Sequence, residues 1–122
     1  MSSTLPPSVI SHVSLGTNDY PRAKAFYDAV LATLQIRCVM DFPGAAGYGR
    51  AFPEFWVQTP HDGGRAGVGN GVHVAFLANS VEEVHAFHAQ ALALAPSRTQ
   101  PATRGRCRLA TASSLSASIR RA

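Results

Sequence analysis

The feature that most constrains this chain is an internal repeat. An offset of 61 residues lays Ser11-His12-Val13-Ser14-Leu15 over Val72-His73-Val74-Ala75-Phe76, and the register holds without a gap for about two dozen residues. Asn18 falls on Asn79, Ala25-Phe26 on Ala86-Phe87, and Leu31-Ala32 on Leu92-Ala93. A chain that repeats itself in this way builds one supersecondary unit twice. With 122 residues it is long enough for one compact domain or two very small modules that share a core.

Each copy opens as a strand and continues as a helix. Val9, Ser11, Val13 and Leu15 alternate with Ile10, His12, Ser14 and Gly16, and Val72 to Leu77 is the second counterpart. In the first copy Asp19 is placed to cap a helix, and Pro21 suits its first turn, where a missing N–H costs nothing. Ala23, Phe26, Tyr27, Val30, Leu31 and Leu34 then recur at three- and four-residue steps as one buried stripe. In the second copy Ser80-Val81-Glu82-Glu83 reads as a capping box, and Val84, Phe87, His88, Ala91 and Leu92 carry the stripe. Phe26 and Phe87 are expected to be buried at equivalent positions. Three strands are expected after the first helix, over Ile36–Asp41, Gly47–Phe52 and Glu54–Gln58. The organisation is therefore a β-α-β-β-β module at residues 9–60, a glycine-rich linker at 61–70, the strand and helix of a second module at 71–95, and an atypical tail at 96–122.

Charge and composition exclude several function classes. The net charge is +4, but residues 1–95 hold five basic and seven acidic side chains, whereas residues 96–122 hold six arginines and no acid. That basic tail has no aromatic residue on which a base could stack, so no nucleic-acid partner is expected. No apolar run reaches the roughly 18 residues of a spanning helix, and Met1–Ser8 lacks the basic start and apolar stretch of a signal peptide, so the chain reads as cytoplasmic with no membrane partner. Cys38 and Cys107 have no metal-binding or redox spacing and read as reduced thiols.

With the repeat in place, the sequence resembles the vicinal oxygen chelate superfamily, which includes glyoxalase I, extradiol dioxygenases, fosfomycin-resistance enzymes and bleomycin-resistance proteins. The residues that carry the resemblance are Ile10 to Gly16, Arg22-Ala23-Lys24-Ala25-Phe26-Tyr27, Pro53 to Val57, and Gly69 to Phe76. It implies an α+β fold in which paired β-α-β-β-β modules curl into a half-open cup, the second module here being incomplete. It also implies a divalent metal ion (Zn, Ni, Fe or Mn) held by His12 and His73 on the two first strands and by Glu54 on the last strand of the first module. Glu54 would double as the catalytic carboxylate, and Gln58, two steps of strand parity away, is the reserve ligand. Two imidazoles and one carboxylate leave coordination positions open for a substrate. The implied partner is a small molecule, and a homodimer is compatible with the family.

Plainer readings stand beside these. His12 and His73 also suit half-buried structural positions, and Glu54 an exposed strand start. His85 and His88 read as a helix face, and His61 as a solvated loop residue. Trp56 and Tyr48 suit either core or pocket. Three functional readings stay open: a metal-dependent enzyme of lyase, isomerase or dioxygenase type, a metal-free small-ligand-binding protein of the bleomycin-resistance type, and a non-functional frameshifted product. The last arises because the Arg/Ser/Ala-rich tail lacks the acid and aromatic strands that the family pattern expects after Leu94. Either a natural variant or a shifted reading frame near residue 95 accounts for it. The tail is expected to form little regular sheet.

Overall fold

The computed structural model describes residues 8–67, 70–94, 106–108 and 114–119, the last two segments as backbone alone. The elements run β1 (Val13–Gly16), α1 (Tyr20–Ala32), β2 (Arg37–Phe42), β3 (Ala45–Gly49), β4 (Phe55–Gln58), β5 (His73–Ala78), α2 (Val81–Leu94), β6 (Arg106–Arg108) and β7 (Ser114–Ile119). They form a four-stranded open sheet in the order β1-β4-β3-β2 and a three-stranded sheet in the order β5-β7-β6. The architecture is α+β, with a half-cup sheet behind α1.

Both helices begin as their sequences require. Asp19 Oδ1 accepts the Arg22 backbone N–H at 3.3 Å, Pro21 sits in the first turn, and Thr33 closes the helix. Ser80 Oγ accepts the Glu83 N–H at 3.1 Å, while Glu83 Oε1 reaches back to the Asn79 N–H at 2.8 Å. Tyr27, Val30, Leu31 and Leu34 are buried against Ala46, Tyr48, Phe55 and Val57 of the sheet.

The repeat register holds, but burial is not symmetric. Phe87 is fully buried, whereas Phe26 is only half-buried, and Tyr27 takes the deep place in the first module. Tyr27 reaches both Tyr48 and Phe55, while Phe26 stacks edge-on against it at 5.1 Å. Leu92, expected in the second stripe, is exposed.

β3 begins two residues before its expected start and ends at Gly49. Gly44, at φ +81°, turns the chain back at once after β2. Glycine within β3 is a packing requirement. A Cβ on Gly47 would lie 2.9 Å from the Trp56 ring and from Pro53. β1 is also shorter than the alternation suggested, since Val9 and Ile10 lie exposed outside the ladder.

The tail departs from expectation. It supplies β6 and β7, and β7 pairs in parallel with β5 along its whole length while β6 runs antiparallel to β7. The reason is that ladders bond through backbone, and Ser114-Leu115-Ser116-Ala117-Ser118-Ile119 does alternate with a strand's period of two. The arrangement repeats that of the first module, where β4 pairs in parallel with β1 and antiparallel with β3. Among the described residues the second module has no counterpart of β2. The other expectations for residues 96–122 fall on residues or side chains outside those described.

The modules join through α1 against α2 and through Phe55 against Phe76. Arg50 Nη2 donates to Leu34 O of the first module at 2.8 Å and to Leu77 O of β5 at 2.7 Å. The second bond satisfies a carbonyl on a strand that has β7 on only one side.

Candidate functional site

Strand register decides where the three candidate ligands lie. β1 and β4 pair Val13 with Phe55 and Leu15 with Val57 on the helix-covered face, and Ser14 with Trp56 and Gly16 with Gln58 on the other. The Val13 N–H donates to Glu54 O at 2.9 Å at the start of this ladder, and the same register carried one residue back sets His12 beside Glu54, on the face of β4 that carries Trp56. In β5, Phe76 and Ala78 are buried toward α2, whereas His73, Ala75 and Leu77 are exposed. His12 and Glu54 thus lie on the face of the first sheet away from α1, and His73 on the face of β5 away from α2. The pairing His73 with Ser114 is the counterpart of His12 beside Glu54, so the second module carries a serine where the first carries the acid.

A cavity of about 630 Å³ opens at the seam between the modules. Ile10, Val13, Ile36, Phe55, Val74 and Phe76 give it hydrocarbon walls from both modules. Its polar groups are Tyr48, Arg50, Glu54 and His73, with Ser8 and Ser11 on the segment leading into β1. The structure therefore gathers Glu54 and His73 on one cavity. His12 is next to Glu54 in register but outside that lining, with Nδ1 at 3.2 Å from Ser11 Oγ.

The imidazole and carboxylate types suit a divalent ion, but the placement does not. Among the described residues no group of three His, Cys, Asp or Glu side chains is close enough to hold a metal ion.

Tyr48 forms one cavity wall and is fixed from behind. Its hydroxyl donates to Asp28 Oδ1 at 2.8 Å, and Asp28 in turn pairs with Lys24 at 2.9 Å. Burial and the bond to Asp28 hold the Tyr48 hydroxyl far above the ordinary tyrosine value. Trp56, the other candidate pocket aromatic, is not in the lining. It stacks on Phe42 at 6.3 Å with the planes 9° from parallel, on the open face. Gln58 is half-buried at the far end of β4, beside Gly16. His61 is exposed in the linker.

Arg50 escaped the sequence reading. It follows two glycines and a tyrosine, in a stretch with no motif, and only the seam gives it a role. The sole available hint was that this arginine stands in a region otherwise short of basic side chains.

The sequence model of the Glyoxalase/Bleomycin resistance protein/Dioxygenase superfamily matches residues 9–106. The chain belongs to this superfamily. Among solved structures it is similar to a glyoxalase/bleomycin resistance protein from Albidiferax ferrireducens, at 33% identity and a TM-score of 0.77, over 93% of this chain and 100% of that one. Two further likenesses concern the fold alone. A glyoxylase/bleomycin resistance protein/dioxygenase domain from a Frankia species is 22% identical, with a TM-score of 0.60, over 95% of this chain and 100% of that one. A lactoylglutathione lyase from Agrobacterium tumefaciens is 22% identical, with a TM-score of 0.56, over 93% of this chain and 94% of that one. No curated protein matches the chain. No helix among the described residues is long and apolar enough to cross a membrane.

Proposed function

We propose that this superfamily member binds a small organic molecule in the seam cavity and acts as a ligand-sequestering protein of the bleomycin-resistance type. The cavity itself carries the reading. Its volume of about 630 Å³ suits a drug-sized ligand. Its walls are mostly hydrocarbon, with a few polar groups converging from both modules. The test is a thermal-shift screen of aromatic and aliphatic small molecules, followed by calorimetry on the hits. Binders should raise the melting temperature of the native chain and lose affinity in Phe76→Trp, which places a larger side chain at the cavity wall. A chain that no compound stabilises, or hits that Phe76→Trp leaves unchanged, would sink the proposal.

A second reading, a divalent-metal-dependent lyase, isomerase or dioxygenase, draws support from the register that sets His12 beside Glu54 and from the cavity that Glu54 shares with His73. The ion would be Zn, Ni, Fe or Mn and would act as a Lewis acid. His12, Glu54 and His73 do not form its site as placed, so this reading requires them to draw together, by closure of the seam or by a second copy of the chain on the open face. Titration with each metal discriminates. Near-stoichiometric uptake that His12→Ala and His73→Ala abolish would favour it, and light scattering of the loaded protein would detect a dimer.

A further inference from the structure

Among the described residues, Arg50 is the arginine that lines the seam cavity, and it is held in place. Both N–H groups of Arg50 Nη2 are engaged by the carbonyls of Leu34 and Leu77, at 2.8 and 2.7 Å. A guanidinium carries five N–H donors. Those on Nε and Nη1 have no bonded partner among the described residues, and Arg50 forms no ion pair there. This charge lines a cavity whose walls are mainly aliphatic and aromatic.

We propose that the cavity selects an apolar carboxylic acid, whose hydrocarbon body packs against Val13, Phe55 and Phe76 and whose carboxylate is taken by the remaining N–H groups of Arg50. The inference rests on the ligand-binding reading above and names the chemical class of its ligand. The physical reason is preorganisation. Ordering an arginine side chain on binding costs conformational entropy, and here the two carbonyl bonds have already fixed it. A carboxylate matches the planar donor set of a guanidinium, and the bond is charge-assisted. Glu54 also lines the cavity and would oppose an anion. Arg50 and Glu54 are both exposed, but no hydrogen bond fixes the Glu54 side chain among the described residues, so it can swing toward water, where its charge is screened. Arg50 cannot move away without releasing the two carbonyls.

Calorimetry on the full chain with three matched probes tests this: naphthylacetate, naphthylethanol and naphthylethylamine. The acid should bind about tenfold or more tighter than the alcohol and the amine, the scale of a charge-assisted hydrogen bond. Arg50→Lys keeps the charge but not the planar fork, and should cut the ratio of acid to alcohol affinity severalfold. Arg50→Met should remove the preference altogether. Because Arg50 also ties the modules together, the comparison of probes on the unaltered protein decides the matter if that variant fails to fold. Binding of the alcohol or the amine as tightly as the acid would overturn the choice of a carboxylate and leave the cavity reading standing. Failure of all three, together with an empty small-molecule screen, would overturn both.

Discussion

Phe55 and Phe76 meet edge to face across the seam between the modules, with ring centroids 5.0 Å apart and planes at 82°. Phe55 also touches Tyr27 of α1, and Phe76 touches Phe87 of α2, so one aromatic path runs from helix to helix through both sheets. β1 and β5, the edge strands nearest the seam, are not hydrogen-bonded to each other. The modules are therefore held by side chains at the very place where the cavity opens.

Phe55→Ala and Phe76→Ala should each destabilise the protein by about 3–5 kcal/mol. The double variant should lose less than the sum, by roughly 0.5–1.5 kcal/mol, because the edge-to-face contact is lost only once. Urea unfolding of the four proteins gives the coupling. Strict additivity would mean that the rings do not hold the modules together.

The two deep tyrosines should respond oppositely to loss of their hydroxyls. The Tyr27 oxygen is buried with no hydrogen-bond partner among the described residues, whereas Tyr48 donates to Asp28. Tyr27→Phe should be neutral or stabilising by up to about 1 kcal/mol, and Tyr48→Phe should cost about 1.5–3 kcal/mol, the range for a hydrogen bond to a charged group. Thermal unfolding at neutral pH checks both.

Alkaline pH should unfold the protein early. Burial pushes the Tyr27 and Tyr48 hydroxyls well above the ordinary value of 10.0, and at Tyr48 the bond to Asp28 adds to the effect. Above about pH 10 the unfolded chain releases these protons while the folded chain keeps them, so the unfolded state gains. Their stabilising contribution is complete below the ordinary value. It declines above that value by up to about 1.4 kcal/mol per pH unit for each tyrosine. Tyr27→Phe/Tyr48→Phe should show a shallower loss between pH 9 and 11 in denaturation series, within about that range.

β7 should be protected from hydrogen exchange. It lies between β5 and β6, with β5 bonded to it from His73–Ser114 to Ala78–Ile119. Amides of residues 114–119 engaged in these ladders should exchange orders of magnitude more slowly than amides of the 61–67 linker. Equal, fast exchange would return this segment to the unstructured tail that its composition suggested. A chain restored to the other reading frame, if codons near residue 95 are shifted, should melt higher than the present one.

What the sequence determined by itself was local and periodic. The repeat offset located two strand-helix units, capping residues placed both helix starts, and strand parity put Glu54, Trp56 and Gln58 on one side of β4. These follow from backbone geometry with a fixed period, which a residue pattern records directly. The choice of Tyr27 over Phe26 for the deep position was not legible, because both suit the buried stripe and only the placement of Tyr48 and Phe55 separates them. The ladder of β7 was not legible either, because the alternating Ser114–Ile119 segment sits in a tail with six arginines, and a ladder depends on backbone partners that another part of the chain provides. The seam cavity, and the anchoring of Arg50 to Leu34 and Leu77, depend on how two modules approach one another. Only the tertiary structure decided them, since they join residues 16 and 27 positions apart through contacts that leave no period in the chain.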